Sequence, residues 1–219
     1  MVLSSCGGFR LAHYREVLEH AQEEGYVIST FRDIEANWHA PRLMILRHDV
    51  DLNIEGALYL AEVEADLGVQ ASYFVRVHAR LYNPYELRTY RILHRILDMG
   101  HEIGLHYEPD FARLNGVASL DMLKREREVL EMILDRPVVS ASAHMPWLSG
   151  YSPDEDSLGQ AGLRYEAYLP RFTQDIKYLS DSGGRWREGC FCQHVGNVPR
   201  MQVLVHPFWW FQESLLENF

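Results

Sequence analysis

Four stretches of this chain end in side chains that can hold a metal or move a proton. Leu43-Met44-Ile45-Leu46 runs into Arg47-His48-Asp49-Val50-Asp51. A stretch at 102–105 ends in His106, with Glu108 and Asp110 close behind. The stretch 138–143 ends in His144, and 201–205 ends in His206. Imidazole and carboxylate together suit zinc and other first-row divalent ions. Such an ion, bound with one position open, polarises a carbonyl and lowers the pKa of water. A carboxylate beside it can act as base, and a histidine can protonate a leaving group. The set therefore reads as metal-assisted hydrolysis. Asp49 and Asp51 lie two apart, so on an extended segment they face the same side, where two like charges call for a cation. Each residue alone has a plainer reading: an Asp after a strand often forms a turn, and a lone His is often just hydrogen-bonded. Three histidines at one end of one sheet carry more weight. His13, His20, His39, His78, His94 and His194 lack this placement and are read as surface or supporting residues. His101 precedes its strand and is read as structural.

These side chains meet only if the elements between them bring the strand ends together. Residues 9–24 repeat apolar positions at helical spacing, with Leu11, Tyr14, Val17, Leu18 and Ala21 on one side. Further helices are predicted at 53–67, with Asn53 as N-cap and Gly68 as stop, and at 84–99, opened by Pro84 and closed by Gly100. Others are predicted at 119–134 and 153–161. Strands are predicted at 43–46, 71–75, 102–106, 138–144 and 201–206, with weaker signals at 164–168 and 176–180. Strands alternating with helices argue a parallel sheet, closed or open, with ligands at the carboxyl ends of its strands.

The chain has 219 residues, enough for one α/β domain over 1–219. Apolar residues make up 47% and charged residues 24%, an ordinary globular balance. A net charge of −10 offers no basic face, so nucleic acid is not an expected partner. No apolar run of membrane-spanning length occurs and no signal peptide is read, which makes the cytoplasm the default location. Association into a homo-oligomer is left open. The three cysteines, Cys6, Cys190 and Cys192, do not form a disulfide framework. Cys190-Phe191-Cys192 has no second cysteine pair to complete a zinc knuckle, so the thiols are read as buried or idle.

Leu46-Arg47-His48-Asp49-Val50-Asp51 resembles the first motif of the polysaccharide deacetylases (NodB homology, carbohydrate esterase family 4), usually Thr-Phe-Asp-Asp. Gly100-His101-Glu102-Ile103-Gly104-Leu105-His106 resembles that family's Gly-His-Glu-Ile-Gly-Asn-His. Ala71-Ser72-Tyr73-Phe74-Val75 is similar to its second strand. Ser142-Ala143-His144-Met145-Pro146-Trp147 falls where the family has Arg-x-Pro, and Val203-Leu204-Val205-His206-Pro207 where it has Leu-x-His. The resemblance spans residues 43–207 in order. The segment 177–186 also looks like a motif of a divergent branch that carries Arg-His-Asp-Val-Asp.

The resemblance implies a distorted (β/α) barrel of about seven mostly parallel strands, a divalent metal with zinc first among candidates, and deacetylation of an N- or O-acetylated saccharide. It implies Asp49 as general base, Asp51 and His106 as metal ligands and His206 as general acid. The sequence departs from the family in two places. Asp49-Val50-Asp51 replaces an adjacent Asp-Asp, so base and ligand roles are exchangeable. The family's second ligand histidine falls at Asp110, behind Pro109, which leaves His144 or Asp110 as third ligand, with His144 preferred. Arg47, Glu108, Asp110, Asp181, Arg185 and Trp186 are expected to bind substrate or to support the site from behind, with Asp181 orienting His206. Two other readings use the same residues: an amidohydrolase acting on a small non-sugar amide, and a non-catalytic carbohydrate-binding protein of the same fold.

Overall fold

A computed structural model describes residues 6–150 and 152–218. Residues 1–5, where the reading of a missing signal peptide begins, lie outside the described residues. The strands are β1 (Val27–Ser29), β2 (Leu43–Val50), β3 (Ser72–Val75), β4 (Glu102–Tyr107), β5 (Ser140–Ala143), β6 (Tyr165–Glu166), β7 (Lys177–Ser180) and β8 (Arg200–Val205). All are paired in parallel, in the order β6-β5-β4-β3-β2-β8-β7, and the sheet curls into a half-barrel. β1 pairs with Leu43–Ile45 at the start of β2 and β3 with Arg47–Val50 at its end. The architecture is the distorted (β/α) barrel expected from the sequence. Between the edge strands β6 and β7, Gln202 Nε2 donates to the carbonyls of Ala167 and Phe172, at 3.1 and 2.9 Å. That side-chain amide ties the 167–172 segment to β8, where no further strand is present.

The helices Leu11–Glu23, Ile54–Asp66, Leu87–Asp98 and Ser119–Leu134 lie close to their expected spans. Asn53 caps the second by accepting from Gly56 N at 2.9 Å. Pro84 does not open the third: Glu86 caps it, its carboxylate accepting from Arg88 N and Thr89 N. The sequence reading missed β1, whose three residues are too short to show a period.

Strand alternation sorts the side chains into two layers. Met44, Leu46, Tyr73, Val75, Ile103, Leu105, Met201, Val203 and Val205 join the core beneath the helices. Leu43, Ile45 and Phe74 point into the barrel, where they pack with Phe31, Ile34, Tyr165 and Phe172. Gly104 belongs to this inner face. A Cβ there would meet Phe74 Cε1 at 2.5 Å and Ser140 Oγ at 2.6 Å. The second glycine of the Gly-His-Glu-Ile-Gly motif therefore makes room for the Phe74 ring. This inner face is not wholly apolar: at the amino ends of its strands the buried Glu102 accepts from Ser72 Oγ and Ser140 Oγ.

Beneath the helices, one carboxylate is buried completely. Glu64 accepts from Tyr73 Oη at 2.6 Å and from Tyr14 Oη, and its Oε1 lies 2.6 Å from His48 Nε2. His101 is structural, as expected: its Nδ1 accepts from Ala71 N and its Nε2 donates to the Ala61 carbonyl. Burial opposes ionisation of Glu64, yet His48, His101 and the Tyr14 hydroxyl hold its pKa below the ordinary value. Glu64→Ala leaves His48 and two hydroxyls without their acceptor. The expected loss is about 3–5 kcal/mol, or roughly 6–20 °C in Tm for a chain of this size. Because the folded pKa is lowered, this contribution is present above the unfolded carboxyl pKa and vanishes as pH falls through the folded one. Thermal unfolding of wild type and Glu64→Gln should therefore diverge near neutrality and converge in acid.

Candidate metal centre and active site

β2 carries the first part of the site. Arg47 and Asp49 share its inner face, and Asp51 follows its last residue. Arg47 is fully buried. Its Nε donates to Asp49 Oδ1 at 2.9 Å and its Nη2 to Asp49 Oδ2 at 2.7 Å, a bidentate pair. The same guanidinium donates to Gln202 Oε1 and Ser142 Oγ and lies 4.5 Å over the Tyr168 ring. Burial works against the Asp49 anion, but Arg47, His106 and His206 outweigh it and hold the carboxyl well below the usual carboxylate range. Asp49 is thus ionised at every working pH, with a fixed orientation.

Asp51, His106 and His144 each present one donor atom within 4.8 Å of the others. His106 Nε2 lies 3.1 Å from Asp51 Oδ1, and His144 Nε2 lies 3.6 Å from the same oxygen. His106 Nδ1 donates to the Ser142 carbonyl at 2.8 Å, which directs Nε2 toward Asp51 and His144. His144 follows β5, and its own N–H donates to the Tyr107 carbonyl at 2.8 Å. Burial, followed by the neighbouring His106, lowers the His144 pKa to about 4, so the imidazole is neutral and its lone pair available. Bonds of about 2.0–2.2 Å to one ion separate ligand atoms by roughly 3–3.6 Å. One carboxylate, one pinned imidazole and one neutral imidazole at these spacings fit a first-row divalent cation. The residue after His144 is in the left-handed region, with φ 47° at Met145, and it turns the chain across the mouth of the site.

His206 faces this group. Its Nε2 stands 3.9 Å from Asp51 Oδ2, and its Nδ1 donates to Asp181 Oδ1 at 2.6 Å. Asp181 is fully buried and also accepts from His206 N and from Trp210 Nε1 at 3.0 Å. Burial alone would lower the His206 pKa, but Asp181, then Asp49 and Asp51, raise it to about 9. The imidazole is held protonated at neutral pH and so can donate a proton.

The remaining expected residues divide. Glu108 accepts from Arg76 Nε and Nη2, and Arg76 Nη1 reaches the Asp51 carbonyl at 3.4 Å. Asp110 stands apart from the group at Asp51. It accepts from Arg113 Nε and Nη2, three residues on in the helix Pro109–Leu114. His106 is on a strand and Asp110 in the first turn of a helix, so the four-residue spacing does not set them on one face. Arg185 is exposed and lines neither cavity at the site, whereas Arg187 lines one of them. Trp186 lines the same cavity and packs against Phe191. Sequence reading missed Arg76, Tyr168 and Tyr178. The one signal for Arg76 was its place directly after β3, at the same end as the others.

Asp49, Asp51, His106, His144 and His206 line a pocket of about 240 Å³ with Trp147, Tyr168, Phe208 and Trp209. It shares Trp147, Tyr168 and Ser182 with a groove of about 610 Å³, walled also by Tyr178 and Trp186. The metal-capable side chains thus line one cavity, and aromatic rings wall the cavity beside it. Among the described residues, no helix is long and apolar enough to cross a membrane.

No family model and no curated protein matches the chain. Among solved structures it is similar to IcaB from Ammonifex degensii, with TM-score 0.55 and 15% identity over 92% of this chain and 86% of that one. It is also similar to the chitin deacetylase of the fungal pathogen Colletotrichum lindemuthianum, with TM-score 0.52 and 19% identity over 89% and 83%. A polysaccharide deacetylase from Bacillus cereus gives 0.52 and 16% over 95% of this chain, which spans only 60% of that structure. The chain has the polysaccharide-deacetylase fold, in a divergent form.

Proposed function

We propose that the chain is a metal-dependent hydrolase that removes an acetyl group from an N- or O-acetylated saccharide. The observation that carries this reading is the pairing of two units across one pocket: Asp51, His106 and His144 on one side, the His206–Asp181 dyad on the other. Asp51, His106 and His144 would hold a divalent cation, zinc first, and it would supply Lewis acidity toward an acyl carbonyl and a water. Asp49, ionised and locked by Arg47, accepts the proton of that water. Its basicity is low, so the transfer depends on the acidity that a bound cation would give that water. Protonated His206 gives its proton to the departing nitrogen or oxygen, and Asp181 stabilises the charged imidazole until then. The aromatic faces of Trp147, Tyr168, Tyr178 and Trp186 suit a sugar ring, which offers apolar C–H faces between its hydroxyls.

The test is acetate release. N-acetylated and O-acetylated oligosaccharides should be turned over, the rate should collapse on chelation and return with zinc, and small non-sugar acetamides should be poor substrates. Sugar binding without turnover by metal-loaded protein would sink the catalytic reading. A sharper expectation concerns pH. His206 must be protonated, so activity falls on the alkaline side as pH rises through about 9. Asp181→Asn removes the largest influence raising that value while keeping hydrogen-bonding capacity. The alkaline limb of kcat/KM should then move toward neutrality, and an unmoved limb would assign the acid elsewhere.

A further inference from the structure

A second group of metal-binding side chains lies outside the pocket at Asp51, beside the helix-covered core. Cys6, His13, Cys190 and Cys192 bring three sulfurs and one imidazole nitrogen within 4.8 Å of one another. His13 Nε2 stands 3.7 Å from Cys6 Sγ and 3.6 Å from Cys190 Sγ. With bonds near 2.3 Å to sulfur and 2.0 Å to nitrogen, a tetrahedral zinc separates nitrogen from sulfur by about 3.5 Å and sulfur from sulfur by about 3.8 Å. The two nitrogen–sulfur spacings are those of such a shell, the sulfurs lie within 4.8 Å of one another, and the three thiols are free.

The surroundings are built to hold it. His13 is 2% exposed and Cys190 4%. His13, read from the sequence as a surface or supporting residue, is buried, and so is Cys190, one of the thiols read as buried or idle. A second cysteine pair is unnecessary when a residue from a helix and another from the chain start complete the set. Gly7 is the reason Cys6 can arrive: a Cβ there would meet His13 Cβ at 2.7 Å, and Gly8 follows with φ 70°. The Glu16 carboxylate lies 3.8 Å from His13 Nδ1, on the side that favours Nε2 as the atom facing the sulfurs.

We infer that Cys6, His13, Cys190 and Cys192 form a structural zinc site with three thiolates and one imidazole. All four positions are filled by protein, so the site is closed and not catalytic. It joins the start of the chain to the loop after β7. That loop carries Trp186, Arg187 and Glu188 on the wall of the aromatic groove, and Phe191 beneath them packs against Tyr14 and Trp210. The ion therefore stiffens one wall of the groove, whatever the reaction in the pocket.

The test separates the two sites. The Asp51→Ala/His106→Ala chain, purified without chelator, should retain about one zinc per chain by elemental analysis. Adding Cys190→Ser and Cys192→Ser should remove it. Cobalt in place of zinc should show thiolate-to-cobalt charge-transfer absorption and the intense visible bands of tetrahedral cobalt. The exposed Cys6→Ser variant, folded by circular dichroism, should lose zinc more readily to a chromophoric chelator. Chelation should lower Tm in the Asp51→Ala/His106→Ala background. A metal-free Asp51→Ala/His106→Ala chain that binds cobalt without sulfur bands would overturn the inference. So would a disulfide among the three cysteines in freshly purified protein. Neither result bears on whether the pocket hydrolyses an acetyl group.

Discussion

His106→Ala is expected to abolish turnover and to remove the metal of the pocket. His106 is the most buried of the three donors, and its orientation is set by the Ser142 carbonyl. Its removal leaves one partly buried carboxylate and one histidine on a turn, too few donors for a tight first-row site. Metal catalysis is worth several kcal/mol of transition-state stabilisation, so about 4 kcal/mol corresponds to a loss in kcat/KM of roughly 10³-fold or more. The variant should remain folded, because the space is at the open end of the barrel and Asp49 keeps its pairing with Arg47. Metal analysis gives the decisive reading. The variant should lose one equivalent while keeping the ion proposed at the cysteines. Full metal content together with lost activity would mean that His106 acts directly on substrate and not as a ligand.

Arg47→Ala should cost both stability and activity. The guanidinium is the countercharge of Asp49, and both groups are buried, Arg47 completely and Asp49 at the edge of the pocket it lines. Taking away one member of a buried pair leaves an uncompensated charge, at about 3–5 kcal/mol. Asp49 has a lowered folded pKa, so the stability it contributes is present above the unfolded carboxyl pKa and is lost as pH falls through the folded one. Without Arg47 that folded value rises, and acid unfolding should begin at higher pH. Arg47→Met combined with Asp49→Asn removes both charges at similar volume and should recover much of the stability. It should not recover turnover, because the proton acceptor is gone. Urea unfolding read beside acetate release separates the two roles. If the double variant regained activity, Asp49 would not be the base and the role would pass to Asp51.

Arg47 also answers a puzzle in the sequence. The family pattern places an arginine in the segment where this chain has His144, and none is found there. The guanidinium that steadies Asp49 comes from two residues earlier on the same strand. A one-residue alternation on β2 puts Arg47 and Asp49 on the same inner face, while His48 points the other way to Glu64. The spacing was readable, but its meaning depended on knowing which face was interior.

The sequence by itself determined the frame. Helical and strand periods are local properties, and their alternation demands crossovers and hence parallel strands. Parallel strands all end on one side, which is why Asp51, His106, His144 and His206 meet at one mouth although up to 155 positions separate them (Asp51 to His206). Tertiary structure alone decided the partners. Glu64 sits in the apolar stripe of its helix, yet only the fold supplies His48, Tyr14 and Tyr73 to receive it. Asp110 lies at the right count from His106, but a change from strand to helix turns it toward Arg113. Cys6 and His13 reach Cys190 and Cys192 across most of the chain, a juxtaposition that no local spacing encodes. Contacts between distant residues arise from how whole elements pack, and a side chain's role follows from which face of its element the packing buries.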